Sequence, residues 1–371
     1  MTRALLSGQT SDAPSTAHSL RWLRATSIDA LEALEEPWCA SESDIESPLG
    51  RFSWTKCCLA EFSDQGDPHI IGAARGEKLV AVAPLVKKSR RGIARLVLCG
   101  VGELFEPLDL VGIDDRAMKR LAKRLIRSGA PLDFERVWAD SKSIHALLRA
   151  CRGRAIVVER PQAACSYITL TDSWCQPEQH LDGGRRGDLR LARRKADELG
   201  AVSIGIHAPD LDELPALLDL AFEVEARSSN RDTNTALLHD ADRAAFYRRY
   251  AEAACVEGTL RICFLRIGDR VAAMQIALED QRAFWLLKVG HDQRFASCSP
   301  GMLLTRETIR YAAEAGLESY EFLGRAEDST RLWTATEHET ISLRVYPFGL
   351  RGMAALAVDG AAALCRKWRR D

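Results

Sequence analysis

The sequence predicts an α/β fold of the α+β kind, made of two similar modules in tandem, each a mixed and mostly antiparallel sheet flanked by helices. Three observations carry this. The length of 371 residues corresponds to roughly two domains at ~150 residues each. Short apolar runs joined by tight polar turns read as strands, and longer runs with helical spacing lie between them. The order helix, antiparallel strands, helix, strand then occurs twice, a weak internal repeat.

Residues 1–20 are small and polar and are expected to form a disordered leader. Helical spacing follows at Ile28 to Leu34, and then comes the stretch Phe52 to Phe62. His69 to Ala74, the turn Arg75-Gly76-Glu77-Lys78, and Leu79 to Val86 have the pattern of a hairpin. A basic turn, Lys87 to Gly92, leads to a third strand, Ile93 to Cys99. A helix over Arg116 to Ser128, stopped by Gly129 and Pro131, and a strand Arg136 to Trp138 complete the unit. Ser141 to Cys151 reads as a further helix.

In the second half, Tyr167 to Leu170 is a strand and Arg185 to Leu199 a basic helix closed by Gly200. Val202 to His207 is a strand, and Leu211 to Glu225 and Asp240 to Glu257 are helices, the latter with Asp240 or Asp242 as cap. Three strands follow closely: Leu260 to Ile267, Val271 to Leu278 and Ala283 to Gly290, joined by the turns Gly268-Asp269-Arg270 and Glu279-Asp280-Gln281. A helix over Gly301 to Ala315 stops at Gly316, and Ser319 to Leu323 is the last strand. The expected boundaries are 21–160 for the first module, 161–350 for the second and 351–371 for a C-terminal helix and tail.

With 46% apolar residues and 7% aromatics the chain is globular, which excludes wholesale disorder. The longest apolar stretch, Leu79 to Val86, falls far short of the ~20 residues of a membrane helix, so no membrane span is expected. The N-terminal stretch lacks an apolar segment and reads as no secretory signal, which predicts a cytoplasmic protein. The 51 Lys+Arg nearly balance 52 Asp+Glu, giving a formal charge of −1 and no overall field to attract nucleic acid. Locally the balance fails: Arg185 to Lys195 carries six basic residues and one Asp, with Arg186, Arg190 and Arg194 on one face. That face could receive a phosphate-bearing acceptor. The 11 cysteines include no C-x-x-C, and the histidines show no zinc spacing, so no metal is expected.

The chemically informative stretch is Phe284 to Gly324: strand, loop, helix opening at Gly301, strand. The first N–H groups of such a helix lack intrahelical partners and favour an anion. Gly301 permits close approach of a ligand, Ser299 can cap or donate, and Pro300 suits the first helical position.

The run Gly290 to Leu304, containing Asp292, Phe295, Ser299-Pro300-Gly301 and Leu303-Leu304, resembles the CelD/BcsL-type acetyltransferases of the GNAT superfamily. So do Glu321-Phe322-x-Gly324, Trp333, the Tyr167-Ile-Thr-Leu strand with its following basic helix, and Leu79-Val-Ala-Val-Ala-Pro-Leu-Val86. This family pairs two GNAT-like modules, as the FemABX aminoacyltransferases do. The resemblance therefore implies a degenerate first module and a catalytic second one. The sequence departs from the family pattern at His291, where the family has Tyr, at Glu321, where it has Asp, and at Ser329-Thr330, which replace a Tyr-Lys pair.

The resemblance implies transfer of an acetyl or other acyl group from acyl-CoA directly to an amine or hydroxyl of a small molecule or saccharide, in a pathway such as polysaccharide formation. The pantetheine would lie along Leu287 to Gly290, and the pyrophosphate on Ser299, Gly301, Met302 and Leu303. A backbone N–H near Val289 or Gly290 would polarise the thioester carbonyl. Candidate bases are His291 and Glu321. Glu225, a third catalytic candidate, and Arg227, next to Ser228-Ser229-Asn230, would line the acceptor side, with Trp285 and Arg190 completing the substrate-side set. Two other readings stand beside this one: a FemABX-like aminoacyltransferase, and a catalytically degenerate module that binds CoA or a partner.

Overall fold

The computed structural model describes residues 19–228, 237–280 and 282–368. Most of the expected leader, Ser229, Asn230 and Gln281 lie outside them. The described residues form three sheets. In the first module, Arg21–Ala25, Ile70–Arg75, Lys78–Ala83 and Val111–Gly112 are neighbours in a four-stranded antiparallel sheet. The hairpin turns at Gly76, whose φ of 61° suits glycine.

Leu79 to Val86, read as one strand, is interrupted at Pro84, which has no N–H to donate to a ladder. There the chain passes into a six-stranded sheet ordered Asp67–Pro68, Leu85–Arg90, Ile93–Leu98, Leu132–Trp138, Thr340–Pro347, Ala155–Pro161. The expected basic turn is also corrected: Lys87 to Arg90 is strand, paired residue by residue with Ile93 to Leu96. Only Arg91 and Gly92 make the turn, with φ of 53° and 76°, the mirror-image turn that matches strand twist.

The second module is a seven-stranded sheet ordered Val202–His207, Leu260–Ile267, Arg270–Glu279, Ala283–His291, Ser319–Glu321, Cys165–Thr169, Glu337–His338. All neighbours are antiparallel except Ala283–His291 with Ser319–Glu321. Each module is thus a mixed, mostly antiparallel arrangement flanked by helices, as the sequence predicts. The pleat sorts the side chains of Leu260–Ile267 between two cores. Leu260, Ile262 and Phe264 join a core shared with the first module and the helices Leu214–Ala226 and Ala241–Val256. Cys263, Leu265 and Ile267 pack under the helices Gly183–Leu199 and Pro300–Glu314. Asp240 caps its helix by accepting the Arg243 N–H at 3.0 Å.

Besides Arg21–Ala25 and three two-residue strands, two strands escape the sequence reading, Ala155–Pro161 and Thr340–Pro347. The second lies within the expected second-module boundary, yet both of its edges pair with first-module strands. Among the described residues, no helix is long and apolar enough to cross a membrane. No group of three or more His, Cys, Asp or Glu among them could hold a metal ion.

Leu343, fully buried in the returning strand, packs within the core that joins the modules. Replacement by Ala is expected to cost about 2–5 kcal/mol. Urea unfolding followed by far-UV dichroism and by tryptophan fluorescence should show both signals shifting together.

Candidate active site between diverging strands

The strand Ala283–His291 is paired along its length with Arg270–Glu279 on one side. On the other side its parallel partner covers only Ala283 to Trp285, ending at Glu321. Beyond that point the two strands part. A bulge makes the parting more useful: the register jumps so that Leu287 is the extra residue between Leu286 and Lys288. After it, Lys288 and Gly290 meet Glu225 on the Leu214–Ala226 helix, while Val289 turns outward and is 54% exposed. A Cβ on Gly290 would stand 2.7 Å from the Glu225 Cα, so strand and helix touch backbone to backbone.

From Gly290 the chain enters a turn held by Asp292. This carboxylate is 1% exposed, accepts the Arg294 N–H at 3.0 Å and lies 3.8 Å from Arg227. The Arg294 guanidinium holds it below the usual carboxylate range. Ser299 is in the left-handed region, φ 43° and ψ 57°, a strained conformation for a non-glycine residue, and Pro300 opens the helix. Of the expected anion donors, the Ser299 N–H donates to the Ala296 carbonyl, and those of Met302 and Leu303 donate to the Ser299 carbonyl. Leu303 therefore makes the first regular helical bond and does not belong to the free N-terminal set. Gly301 faces open space: a Cβ there would meet nothing within 4 Å. The Gly183–Leu199 helix packs on this turn, and the Lys195 charge is felt by Cys298. The Cys298 thiol donates to the Phe295 carbonyl, and burial raises its pKa, so it is a structural group.

The other candidates divide. Glu225 and Arg227 do lie at the parting strands, but Glu225 uses both oxygens, one on Lys288 at 3.0 Å and one on the Leu237 N–H at 2.9 Å. Arg227 pairs with Glu223 at 3.1 Å. Glu321 sits at the point of divergence opposite Trp285, held by the Ser319 hydroxyl at 2.8 Å and His338 at 3.3 Å. The His338 ring in turn stacks on Tyr167. Trp285 donates its indole N–H to Asp280 at 3.2 Å and packs in the core, 9% exposed. His291 bonds with Gln293 at 3.1 Å, and burial holds its imidazole below the ordinary value. Arg190 is exposed on the basic helix beside the turn, away from the divergence.

The carboxylate missing from the sequence reading comes from the first module. Glu106, 6% exposed, accepts the Gly324 N–H at 3.3 Å, just past the end of the shorter parted strand. Arg136 donates to the Gly324 carbonyl and to Cys165 Sγ, so first-module side chains hold both backbone groups of Gly324. Arg136 and Arg325 lie over the ring of Phe105, which precedes Glu106 in left-handed conformation. Burial raises the Glu106 carboxyl to about 7 against the pull of the Gly324 N–H, Arg136 and Lys288. Its charge is felt by Tyr247, whose hydroxyl reaches the Leu287 carbonyl at 3.5 Å. No local motif marks Glu106 in the sequence. Lys288 was readable, as a lone charge inside an apolar central strand.

Residues 183–329 match the family described as acetyltransferase (GNAT) domain. That segment, similar to the GNAT acetyltransferase family, holds the basic helix, the bulged strand, the turn and the shorter parted strand. No curated protein matches the sequence. Among solved structures, FemX aligns over 88% of this chain and 97% of its own, with TM-score 0.52 and 11% identity. A conserved protein of unknown function from Bacteroides thetaiotaomicron VPI-5482 aligns over 87% and 98%, with TM-score 0.52 and 12% identity. The C-terminal (DUF2156) domain of a putative lysylphosphatidylglycerol synthetase from Agrobacterium fabrum aligns over 81% and 90%, with TM-score 0.50 and 13% identity. These likenesses are of fold and extend over most of the chain.

Gly290→Ala should force strand and helix apart and lower stability by about 1–3 kcal/mol, read by chemical denaturation. The Glu106 carboxyl ionises near 4.5 when unfolded and near 7 when folded. The unfolded chain therefore holds fewer protons between these values, and stability falls as pH rises across them. Glu106→Gln should remove that fall, measured as the wild-type-minus-variant difference in urea midpoint at about pH 5 and about pH 8.

Proposed function

We propose that this protein is an acyl-CoA-dependent N- or O-acyltransferase of the CelD/BcsL type. It would move an acetyl or similar acyl group directly to an amine or hydroxyl of a small molecule or saccharide precursor. One observation carries the reading: a bulged strand that loses its parallel neighbour after Trp285 and runs on through an exposed Val289 into a turn and a helix N-terminus. That geometry leaves strand edge uncovered beside a turn that ends in open space at Gly301. An extended thiol arm suits the edge, and a pyrophosphate suits the turn with Lys195 behind it.

The co-substrate supplies the acyl thioester. The residues of the chain do the rest. A backbone N–H at Val289 or Gly290, whichever points away from the Arg270–Glu279 strand, faces the reacting carbonyl as a fixed dipole. The Gly301 backbone and the basic helix hold the phosphates. The acceptor enters from the first-module side, where Glu106 takes the proton that its amine or hydroxyl loses. Glu225 and Glu321 are less suited to that role, since each has both oxygens engaged, whereas the described hydrogen bond of Glu106 is the one from Gly324. Lys288 and Arg136 favour the carboxylate form and offset the cost of burial.

Thiol release from acetyl-CoA and longer acyl-CoAs, measured against a panel of amines, hydroxyls and saccharides, tests this reading, with aminoacyl-tRNA as a competing donor. Acyl-CoA at a hundredfold excess over Kd should add ~2.7 kcal/mol of stability. Gly301→Trp should abolish that gain. Turnover should rise as pH passes upward through about 7, the value to which burial brings Glu106. Glu106→Gln should lower kcat by about 10²–10⁴ with the acyl-CoA stabilisation intact. Absence of any stabilisation by acyl-CoAs would sink the proposal.

A further inference from the structure

The first module contains an open cavity of about 730 Å³, remote in its lining from the parted strands. Its walls come from the Arg21–Ala25 strand, the start of Ile93–Leu98, the end of the Asp115–Arg127 helix and the first turn of Leu350–Trp368. Among the described residues every charged side chain in these walls is basic, Arg24, Lys87, Arg95, Arg124 and Arg351, with the His69 imidazole beside them and no Asp or Glu. The remaining walls are largely apolar, with Trp22 carrying the Arg124 guanidinium 4.9 Å from its ring.

Arg24 and His69 meet in this wall: Arg24 Nη2 donates to His69 Nδ1 at 3.3 Å. Besides its burial, the charges of Arg24 and Lys87 hold His69 below its ordinary value. Arg95 is the strongest pointer. It is 1% exposed and gives one N–H to Asp359 at 2.7 Å, but its Nε and Nη2 are buried with no hydrogen-bond partner. It stands in the wall shared with a second cavity of about 250 Å³. Unpaired buried guanidinium donors are costly, and like charges lining one cavity repel. A dianion in the cavity would offset the repulsion among its cations.

We propose that this cavity is a binding site for a phosphate ester bearing an apolar substituent. The several cations match a doubly charged headgroup better than a single carboxylate, and the guanidinium forks suit phosphate oxygens. The volume and apolar walls exceed what a bare phosphate fills and lie in the range of organic ligand sites. A soluble phosphate ester and a lipid headgroup share this chemistry. The site is independent of acyl transfer in the second module.

Calorimetric titration of the full chain with inorganic pyrophosphate, phenyl phosphate, and phosphatidylcholine vesicles with and without phosphatidic acid tests the proposal. Binding of phenyl phosphate or of phosphatidic acid vesicles is expected, the first pointing to a soluble ester and the second to a lipid, with pyrophosphate weaker than the favoured ligand. The exposed double variant Arg24→Gln/Lys87→Gln should weaken binding by at least about tenfold. Gly301→Trp should leave it unchanged, and the NMR titration of His69 should move to higher pH in the bound state. Absence of binding by all three up to about 5 mM would overturn the proposal. So would indifference to the double variant, or loss of binding in Gly301→Trp, which would assign it to the turn of the second module.

Discussion

The strand Thr340–Pro347 pairs with first-module strands along both edges, and the placement of the candidate-site groups depends on it. The chain leaves the second sheet and returns to bridge Leu132–Trp138 and Ala155–Pro161, with Arg344 bound to Asp133 at 3.0 Å. A ladder bonded on both sides cannot slip by one residue without exchanging its buried and solvent faces. The register of this strand with both neighbours is therefore fixed. Arg136 on the adjoining strand then reaches the Gly324 carbonyl, and Glu106 reaches its N–H. The first module thus acts as a scaffold for the second, whatever its own capacity to bind.

The favourable side of that arrangement is a core running from the first module into the inner face of the second sheet. The unfavourable side is concentrated near Gly324. Arg136 is fully buried, has a positive φ of 49°, and leaves Nε and Nη1 without partners. Phe105 has a φ of 62° beside a carboxyl whose ionisation is opposed by burial. Such groups persist only where surrounding packing over-determines them, and they cluster where a protein performs chemistry. Their concentration at the mouth of the parted strands singles out this region among the buried polar groups of the molecule.

A sheet that is fully paired on one side of its reactive strand and open on the other combines rigidity with access. The Arg270–Glu279 ladder and the backbone contact at Gly290 fix Ala283–His291, so its uncovered N–H groups are oriented before any ligand arrives. Preorganisation of this kind is the main way fixed dipoles assist a developing oxyanion. The bulge at Leu287 is what allows it: the same strand offers Lys288 and Gly290 to the helix and Val289 to solvent.

Much of the fold was legible because it rests on local rules. The strands Val202–His207 and Leu260–Ile267 coincide with their sequence readings, as do the Gly76 hairpin and the Asp240 cap, since period-two burial and turn chemistry act over a few residues. The turn through Asp292, Ser299, Pro300 and Gly301 was legible for the same reason. Local signals misled where two sheets compete for one segment, as at Pro84 and the basic strand Lys87 to Arg90, whose charges mark an outward face and not a loop. The sequence by itself determined the two α/β modules, several of their turns and the helix start at Pro300 and Gly301. Only the tertiary structure decided that Thr340–Pro347 serves the first module, that Glu225 and Glu321 are engaged, and that Glu106 meets the second sheet. Pairings across such separations depend on packing of distant faces, which no local spacing encodes.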